Sequence, residues 1–216
     1  MKVYGFWRSL ATYRVRAALA FKGLKAEEIS IDLLQGRQHD PSYLAINPEG
    51  VLPTLVLDDG TRLVQSMAIL EYLEETHPRP PLLPADPAGR ARVRGLAQIV
   101  VSDGHPFVTP RVRTYLEKEL HQDEAARHRW QVHWTQKACE AVEGVLAGTP
   151  GTGRLCHGDL PTLADLCLAS HVIGMLTYIK TTPSAVPTVM RVFETAMAIP
   201  AFERAHPLKQ PAAPKD

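Results

Sequence analysis

Short runs of alternating apolar and polar positions fill the first third of the chain, interleaved with apolar positions at three and four spacing. Past residue 88 only the helical spacing remains. Lys2 to Phe6 reads as a short strand. Ser9 to Thr12 opens a helix whose stripe includes Val15, Ala18 and Leu19, and Gly23 closes it as a left-handed cap. Ala26 to Leu33 forms a second strand with Ile29 and Ile31 on one face, which completes a βαβ unit. A polar stretch from Gln35 to Asp40 and a helical turn lead to Asn47-Pro48-Glu49-Gly50. Thr54 to Leu57 and Arg62 to Val64 then flank Asp58-Asp59-Gly60, a hairpin signal. A helix from Ser66 to about Glu75 presents Met67, Leu70 and Leu73 and ends before Pro78.

Five prolines between Pro78 and Pro87 make a stiff connector, because proline lacks an amide donor and has a restricted φ. The boundary falls there, giving an α/β domain over 1–80 and an all-helical domain over 88–207. Ala88 to Leu120, Asp123 to Leu146 and Thr162 to Tyr178 are the long predicted helices, followed by a shorter one over Val189 to Ala198. The tail from Pro207 holds three prolines and no apolar period, so it is expected to be extended or disordered. No internal repeat is visible.

Composition narrows the class. With 216 residues, 45% hydrophobic and 22% charged, the chain can bury a core without disulfides and fits neither a disordered nor a membrane protein. Lys plus Arg (24) nearly balances Asp plus Glu (23), so no global field gathers nucleic acid or an anionic membrane. Cys139, Cys156 and Cys167 form neither a CxxC pair nor a zinc quartet, which favours a reducing, cytoplasmic setting over secretion. No apolar run is long enough for a signal peptide or a spanning helix. The histidines show no HxxxH spacing, and no metal is expected.

Read one residue at a time, the candidate positions have plain structural meanings. Pro53 reads as a trans proline opening a strand, Ser9 and Ser66 as helix N-caps, His39 as an exposed histidine, and Arg111 and Arg113 as a solvated face. Thr162-Leu163-Ala164-Asp165 is a capping box with aspartate in the glutamate position, expected to stabilise its helix by about 1 kcal/mol.

Four features change that picture when taken in order: Phe6-Trp7-Arg8-Ser9 running to Arg14-Val15-Arg16, Asn47-Pro48-Glu49-Gly50-Val51-Leu52-Pro53-Thr54-Leu55, Gln65-Ser66-Met67-Ala68-Ile69, and the capping box. Together they resemble the glutathione transferases over almost the whole chain, and the first segment is most similar to their zeta class, which includes maleylacetoacetate and maleylpyruvate isomerases. The resemblance implies a thioredoxin-like N-terminal domain and an all-α C-terminal domain. It implies a cis Leu52-Pro53 bond that turns the backbone of Leu52 toward the cysteinyl residue of glutathione as an added strand. It places the γ-glutamyl carboxylate at Gln65-Ser66, on a helix N-terminus, and the glycyl end near His39.

Ser9 is then the candidate activator of the glutathione thiol. An unperturbed thiol has a pKa of about 8.5, and lowering it by two units requires about 2.7 kcal/mol of preferential thiolate stabilisation. One hydroxyl hydrogen bond to a charged sulfur, at roughly 1.5–3 kcal/mol, plus a helix N-terminus at about 0.3–1, is of that size. Thr12 is a second candidate, and Tyr4 and Tyr13 compete because other classes use an early tyrosine. The electrophile is expected over Ala11, with Arg8, His105 and Arg111 as contacts for an anionic substrate.

Two departures from the family pattern matter. Ala11 stands where zeta-class proteins commonly carry cysteine, and no cysteine precedes Cys139, so the reactive sulfur must belong to glutathione. Val172 to Tyr178 holds no arginine, whereas the isomerases tend to carry an arginine pair there. The resemblance therefore implies a glutathione-dependent cis-trans isomerase of maleyl compounds in aromatic catabolism, acting as a homodimer on a small electrophile. In its mechanism the thiolate adds to the double bond, the resulting single bond rotates, and elimination releases the trans product. A conjugating transferase and a non-catalytic binding module of the same fold are the alternatives.

Overall fold

The computed structural model describes residues 1–214, and the chain divides into two compact units: Met1–Pro81 together with the segment from Ile199 on, and Leu82–Ala198.

In the first unit, β1 (Lys2–Gly5), α1 (Leu10–Phe21), β2 (Glu27–Ser30), α2 (Pro41–Leu44), β3 (Thr54–Val56), β4 (Arg62–Val64) and α3 (Ser66–Thr76) follow one another. The four strands lie in the order β2-β1-β3-β4. β1 runs parallel to β2, with Tyr4 opposite Ile29, and antiparallel to β3, with Val3 opposite Leu55; β4 closes the hairpin. Val3, Leu55, Val15, Leu19, Ile69, Leu70 and Leu73 are buried and form the apolar layer between sheet and helices. α1 sits so close to β1 that a Cβ on Gly5 would come within 2.5 Å of Thr12 Cγ2, so only glycine fits there.

A buried cation ties the end of α1 to the end of α3. Lys22 Nζ donates to Glu74 Oε2 at 2.7 Å, to the His77 carbonyl at 2.8 Å and to the Pro80 carbonyl at 2.9 Å. Every proton of the ammonium is satisfied, the condition under which a buried charge is tolerated.

The tail differs from expectation. α9 (Pro200–Arg204) packs on α1, with Phe21 edge-on to Phe202 at 6.4 Å and Arg16 Nη1 donating to the Ala205 carbonyl at 3.3 Å. Pro207–Lys209 makes a 3-10 turn, Ala213 is buried, and Gln210 Nε2 donates to the Arg204 and His206 carbonyls. The segment expected to be extended from Pro207 is thus folded, and the chain after Ile199 belongs with the first unit and not with the helical domain drawn to 207. Side-chain bonds from Gln210 and the burial of Ala213 hold the tail without an apolar period.

The second unit contains α4 (Pro87–Asp103), α5 (Pro110–Lys118), α6 (Glu124–Leu146), α7 (Leu163–Gly174) and α8 (Pro187–Met197). Asp86 caps α4 by accepting from Gly89 N at 2.7 Å, and Asp123 caps α6 by accepting from Ala126 N at 2.7 Å. Every residue of α7 is buried, and α4 and α8 pack against it. The single helix expected over Ala88 to Leu120 is in fact two, joined by a 3-10 turn at His105–Val108. Pro106 and Pro110 cannot donate into a continuing helix. The chain also turns sharply at Gly104, where a Cβ would lie 2.7 Å from Ala138 Cβ and 3.1 Å from His171 Cε1. Beyond α7 the coil widens into a π-helix, Met175–Ile179, which stops at Lys180 in the left-handed region. Among the described residues no helix is long and apolar enough to cross a membrane.

Candidate functional site

The turn after β1 places Ser9 at the N-cap of α1. Its N–H donates to the Phe6 carbonyl at 3.0 Å, and its Oγ accepts from Thr12 N at 3.2 Å. A serine oxygen has two lone pairs and a rotatable proton, so capping the helix leaves the O–H free to donate elsewhere. Cap and donor are therefore compatible roles for one hydroxyl.

The competitors for that role are placed differently. Thr12 is wholly buried and its Oγ1 has no hydrogen-bond partner. Tyr13 is fully buried, and burial pushes its phenol well above the ordinary value of 10. Tyr4 lies in β1 with its ring 5.9 Å from that of Tyr43.

The loop from Asn47 to Thr54 is built on a chain of polar contacts. Asn47, almost fully buried, donates from Nδ2 to the Val51 carbonyl at 2.9 Å and to Thr54 Oγ1 at 3.2 Å, and its Oδ1 accepts from Glu49 N at 3.0 Å. Tyr43 Oη donates its one proton to the Val51 carbonyl at 2.6 Å, so Thr54 Oγ1, at 2.9 Å, must donate to Tyr43. Gly50 turns the loop at φ +64. This clamp fixes Val51 from two sides and hence the residues after it. Leu52-Pro53 is cis, as the resemblance implied and the residues alone did not. Neither the N–H nor the C=O of Leu52 enters a hydrogen bond among the described residues. Leu52 packs with Phe6 and Tyr43, flanked by Trp7, Ile31, Leu33 and Ile46, which brings the Ser9 turn and the Leu52 loop onto one apolar cluster.

At the start of α3 the assignment of the cap is corrected. Gln65, at φ 67 and ψ 119, occupies the cap position, and Ser66, buried to 4% exposure, is the first helical residue. A non-glycine residue at positive φ is held there by its surroundings. Gln65 Nε2 donates to Glu49 Oε1 at 2.8 Å and Oε2 at 2.9 Å, joining this turn to the Asn47 loop. His39 is exposed on the 3-10 turn Arg37–His39, and its Nδ1 lies beside Gly50, 3.2 Å from where a Cβ would stand.

Ser9, His39, Leu52, Pro53, Gln65 and Ser66, with Arg8, Thr12 and Ala11, all lie in the first unit. Ala11 is buried in the first turn of α1. His105 and Arg111 lie in the second, His105 half-buried in the turn after Gly104 and Arg111 exposed on α5. That turn carries an aromatic group absent from the sequence-based expectations. Phe107 stacks on Trp134 at 4.3 Å and 22°, and Trp130 Nε1 donates to the Phe107 carbonyl at 2.8 Å. The i, i+4 spacing of Trp130 and Trp134 is the signal that could have found it.

All three cysteines are buried. Burial pushes the Cys139 thiol up to about 12 and Cys156 well above its ordinary value. We expect a thiol reagent such as dithionitrobenzoate to titrate almost none of them in the native protein at pH 8, and all three in urea. Rapid native labelling would show a reactive protein thiol and reopen a thiol-exchange role. Among the described residues no cluster of His, Cys, Asp and Glu forms a metal site.

The donors and acceptors that remain suit a short thiol peptide. The Leu52 N–H and C=O can pair with an extended backbone, the Ser9 O–H can donate to a thiolate, and the α3 N-terminus with Ser66 can take a carboxylate. Residues 1–75 match the family model described as glutathione S-transferase, N-terminal domain. The maleylacetoacetate isomerase of Pseudomonas aeruginosa is 41% identical over 216 residues, spanning 99% of both chains. The maleylpyruvate isomerase of a Ralstonia species is 41% identical over 213 residues, spanning 98% of this chain and 99% of its own. Among solved structures, a maleylacetoacetate isomerase from Methylobacterium extorquens AM1 with malonate and glutathione bound superposes with a TM-score of 0.96 at 46% identity, covering 100% of each chain.

Proposed function

Because the chain belongs to the glutathione S-transferase family, in its zeta class, we propose that it is a glutathione-dependent isomerase converting a maleyl substrate, a cis-enedioyl dicarboxylate, to its trans isomer. When bound, glutathione supplies a thiol nucleophile that can add to the activated double bond and leave again. This chain's own residues do the rest. The Leu52 backbone holds the cysteinyl residue in extended pairing, Ser66 and the α3 amides take the γ-glutamyl carboxylate, and His39 faces the glycyl end. The Ser9 hydroxyl donates to the thiolate and keeps it ionised. Arg8 in the first unit, and His105 and Arg111 in the second, each carry donor groups that suit a substrate carboxylate.

The observation that carries this reading is full-length similarity. Identity of 41% to two isomerases spans at least 98% of the chain, so it runs through the helical unit as well as the thioredoxin-like one. A conjugating transferase is favoured by one feature, the arginine-free segment from Val172 to Tyr178. Supplying maleylacetoacetate or maleylpyruvate with glutathione separates the two. We expect the cis substrate to disappear with glutathione recovered unchanged. Stoichiometric loss of glutathione would establish conjugation instead, and no binding at millimolar glutathione would leave an interaction module.

The same family membership supports a homodimer, which sedimentation analysis would test. The three free cysteines support a reducing, cytoplasmic compartment.

A further inference from the structure

Glu49 is exposed, and the sequence-based reading gives it no role beyond its place in the Asn47 to Leu55 segment. Yet both of its carboxylate oxygens lie within 2.9 Å of a single nitrogen, Gln65 Nε2, across 16 residues of chain. A carboxylate can only accept, so the group facing it must be the NH2 of the carboxamide and not its oxygen. This settles the orientation of an amide whose two ends are otherwise interchangeable. The Gln65 backbone, at φ 67, and the Glu49 N–H, held by Asn47 Oδ1 at 3.0 Å, anchor the pair at both ends.

Resting on the glutathione-binding reading above, we propose that Glu49 is a positioning residue. By holding Gln65 Nε2 it turns Gln65 Oε1 outward, so that Gln65 offers glutathione an acceptor for the γ-glutamyl ammonium. The γ-glutamyl group is a zwitterion, and its two charges require opposite partners. The carboxylate falls to the amides at the α3 N-terminus, which can only donate, and to the Ser66 hydroxyl, which can donate alongside them. The ammonium needs an oxygen, and a freely rotating carboxamide would present its NH2 to the site as readily as its oxygen. The resemblance places the γ-glutamyl carboxylate at Gln65-Ser66; in this arrangement Ser66 keeps the carboxylate and Gln65 takes the ammonium of the same group.

The test compares glutathione with its des-amino analogue, γ-glutaryl-cysteinyl-glycine, by isothermal titration of the wild type, Glu49→Ala and Glu49→Gln. The wild type should bind glutathione about tenfold more tightly than the analogue, the worth of one charge-assisted hydrogen bond. Glu49→Ala should bring glutathione down to the analogue's affinity while the analogue's own affinity stays put. Glu49→Gln should keep most of the gap, because its side-chain oxygen can still accept from Gln65 Nε2. A gap that persists in Glu49→Ala, or equal weakening of both ligands, overturns the proposal. A gap lost equally in Glu49→Gln also overturns it, since the carboxylate would then be contacting the ammonium by charge. Wild-type protein that binds neither ligand overturns the glutathione reading itself and this inference with it, so the two failures are distinct.

Discussion

Asp165→Ala is expected to lower the free energy of unfolding by about 3 kcal/mol, read as a shift of the urea midpoint followed by helical circular dichroism, and not by the ~1 kcal/mol that a local capping box is worth. The carboxylate is fully buried. Its Oδ2 accepts from Thr162 N and Thr162 Oγ1, both at 2.8 Å, which is the local cap. Its Oδ1 accepts from Cys156 N at 2.8 Å, nine residues back, and so closes the loop that runs into α7. Arg92 holds the other side of that loop through the Cys156 carbonyl at 2.6 Å and Thr152 Oγ1 at 2.7 Å. Alanine would strand three buried donors, each costing about 1–3 kcal/mol when unsatisfied. The sum overshoots, because burial already raises the Asp165 carboxyl above its usual range, and that desolvation cost disappears with the carboxylate. Thr162→Ala, which keeps Asp165 and its bond to Cys156, should cost only about 1 kcal/mol. Equal losses in the two variants would mean that the loop contact contributes nothing.

The same residue shows what the sequence could and could not convey. Capping boxes, helix periods and the strand-helix alternation depend on neighbours a few residues apart, and these were legible: Ser9 and the Thr162–Asp165 box cap as their types predict. The long-range half of each device was not. Nothing local says that Asp165 reaches Cys156, that Lys22 is sealed among Glu74 and two carbonyls, or that Glu49 meets Gln65. The break after Asp103 was underestimated because apolar positions continue in phase through His105 to Val108 while prolines and a close contact at Gly104 end the helix. The cis bond at Leu52-Pro53 was legible only through likeness to a family, since composition favours trans. The Asn47 clamp that fixes the loop is a three-dimensional network of Tyr43, Asn47 and Thr54 whose members look, in sequence, like ordinary turn and strand residues.

Ser9→Ala is expected to raise the pKa of the bound glutathione thiol by one to two units, and to lower kcat/KM at pH 6.5 by roughly ten- to a hundredfold. The sign follows from which form the hydroxyl stabilises. Ser9 donates to the anion, so removing it favours the thiol, and the acidic limb of the pH profile moves to higher pH while activity at pH 9 changes least. Serine also caps α1 by accepting from Thr12 N at 3.2 Å, so alanine should cost about 1 kcal/mol of stability as well. Ser9→Gly separates the two effects. Glycine caps nearly as well as serine and carries no hydroxyl, so it should spare stability within a few tenths of a kcal/mol yet reproduce the full pKa rise. Thiolate absorbance of the complex, titrated in the ultraviolet, reads the pKa without turnover. If the titration is unchanged in both variants, the anion is held by the amides at the start of α1, because the Thr12 hydroxyl is closed off from solvent and the Tyr13 phenol is buried and pushed to high pKa.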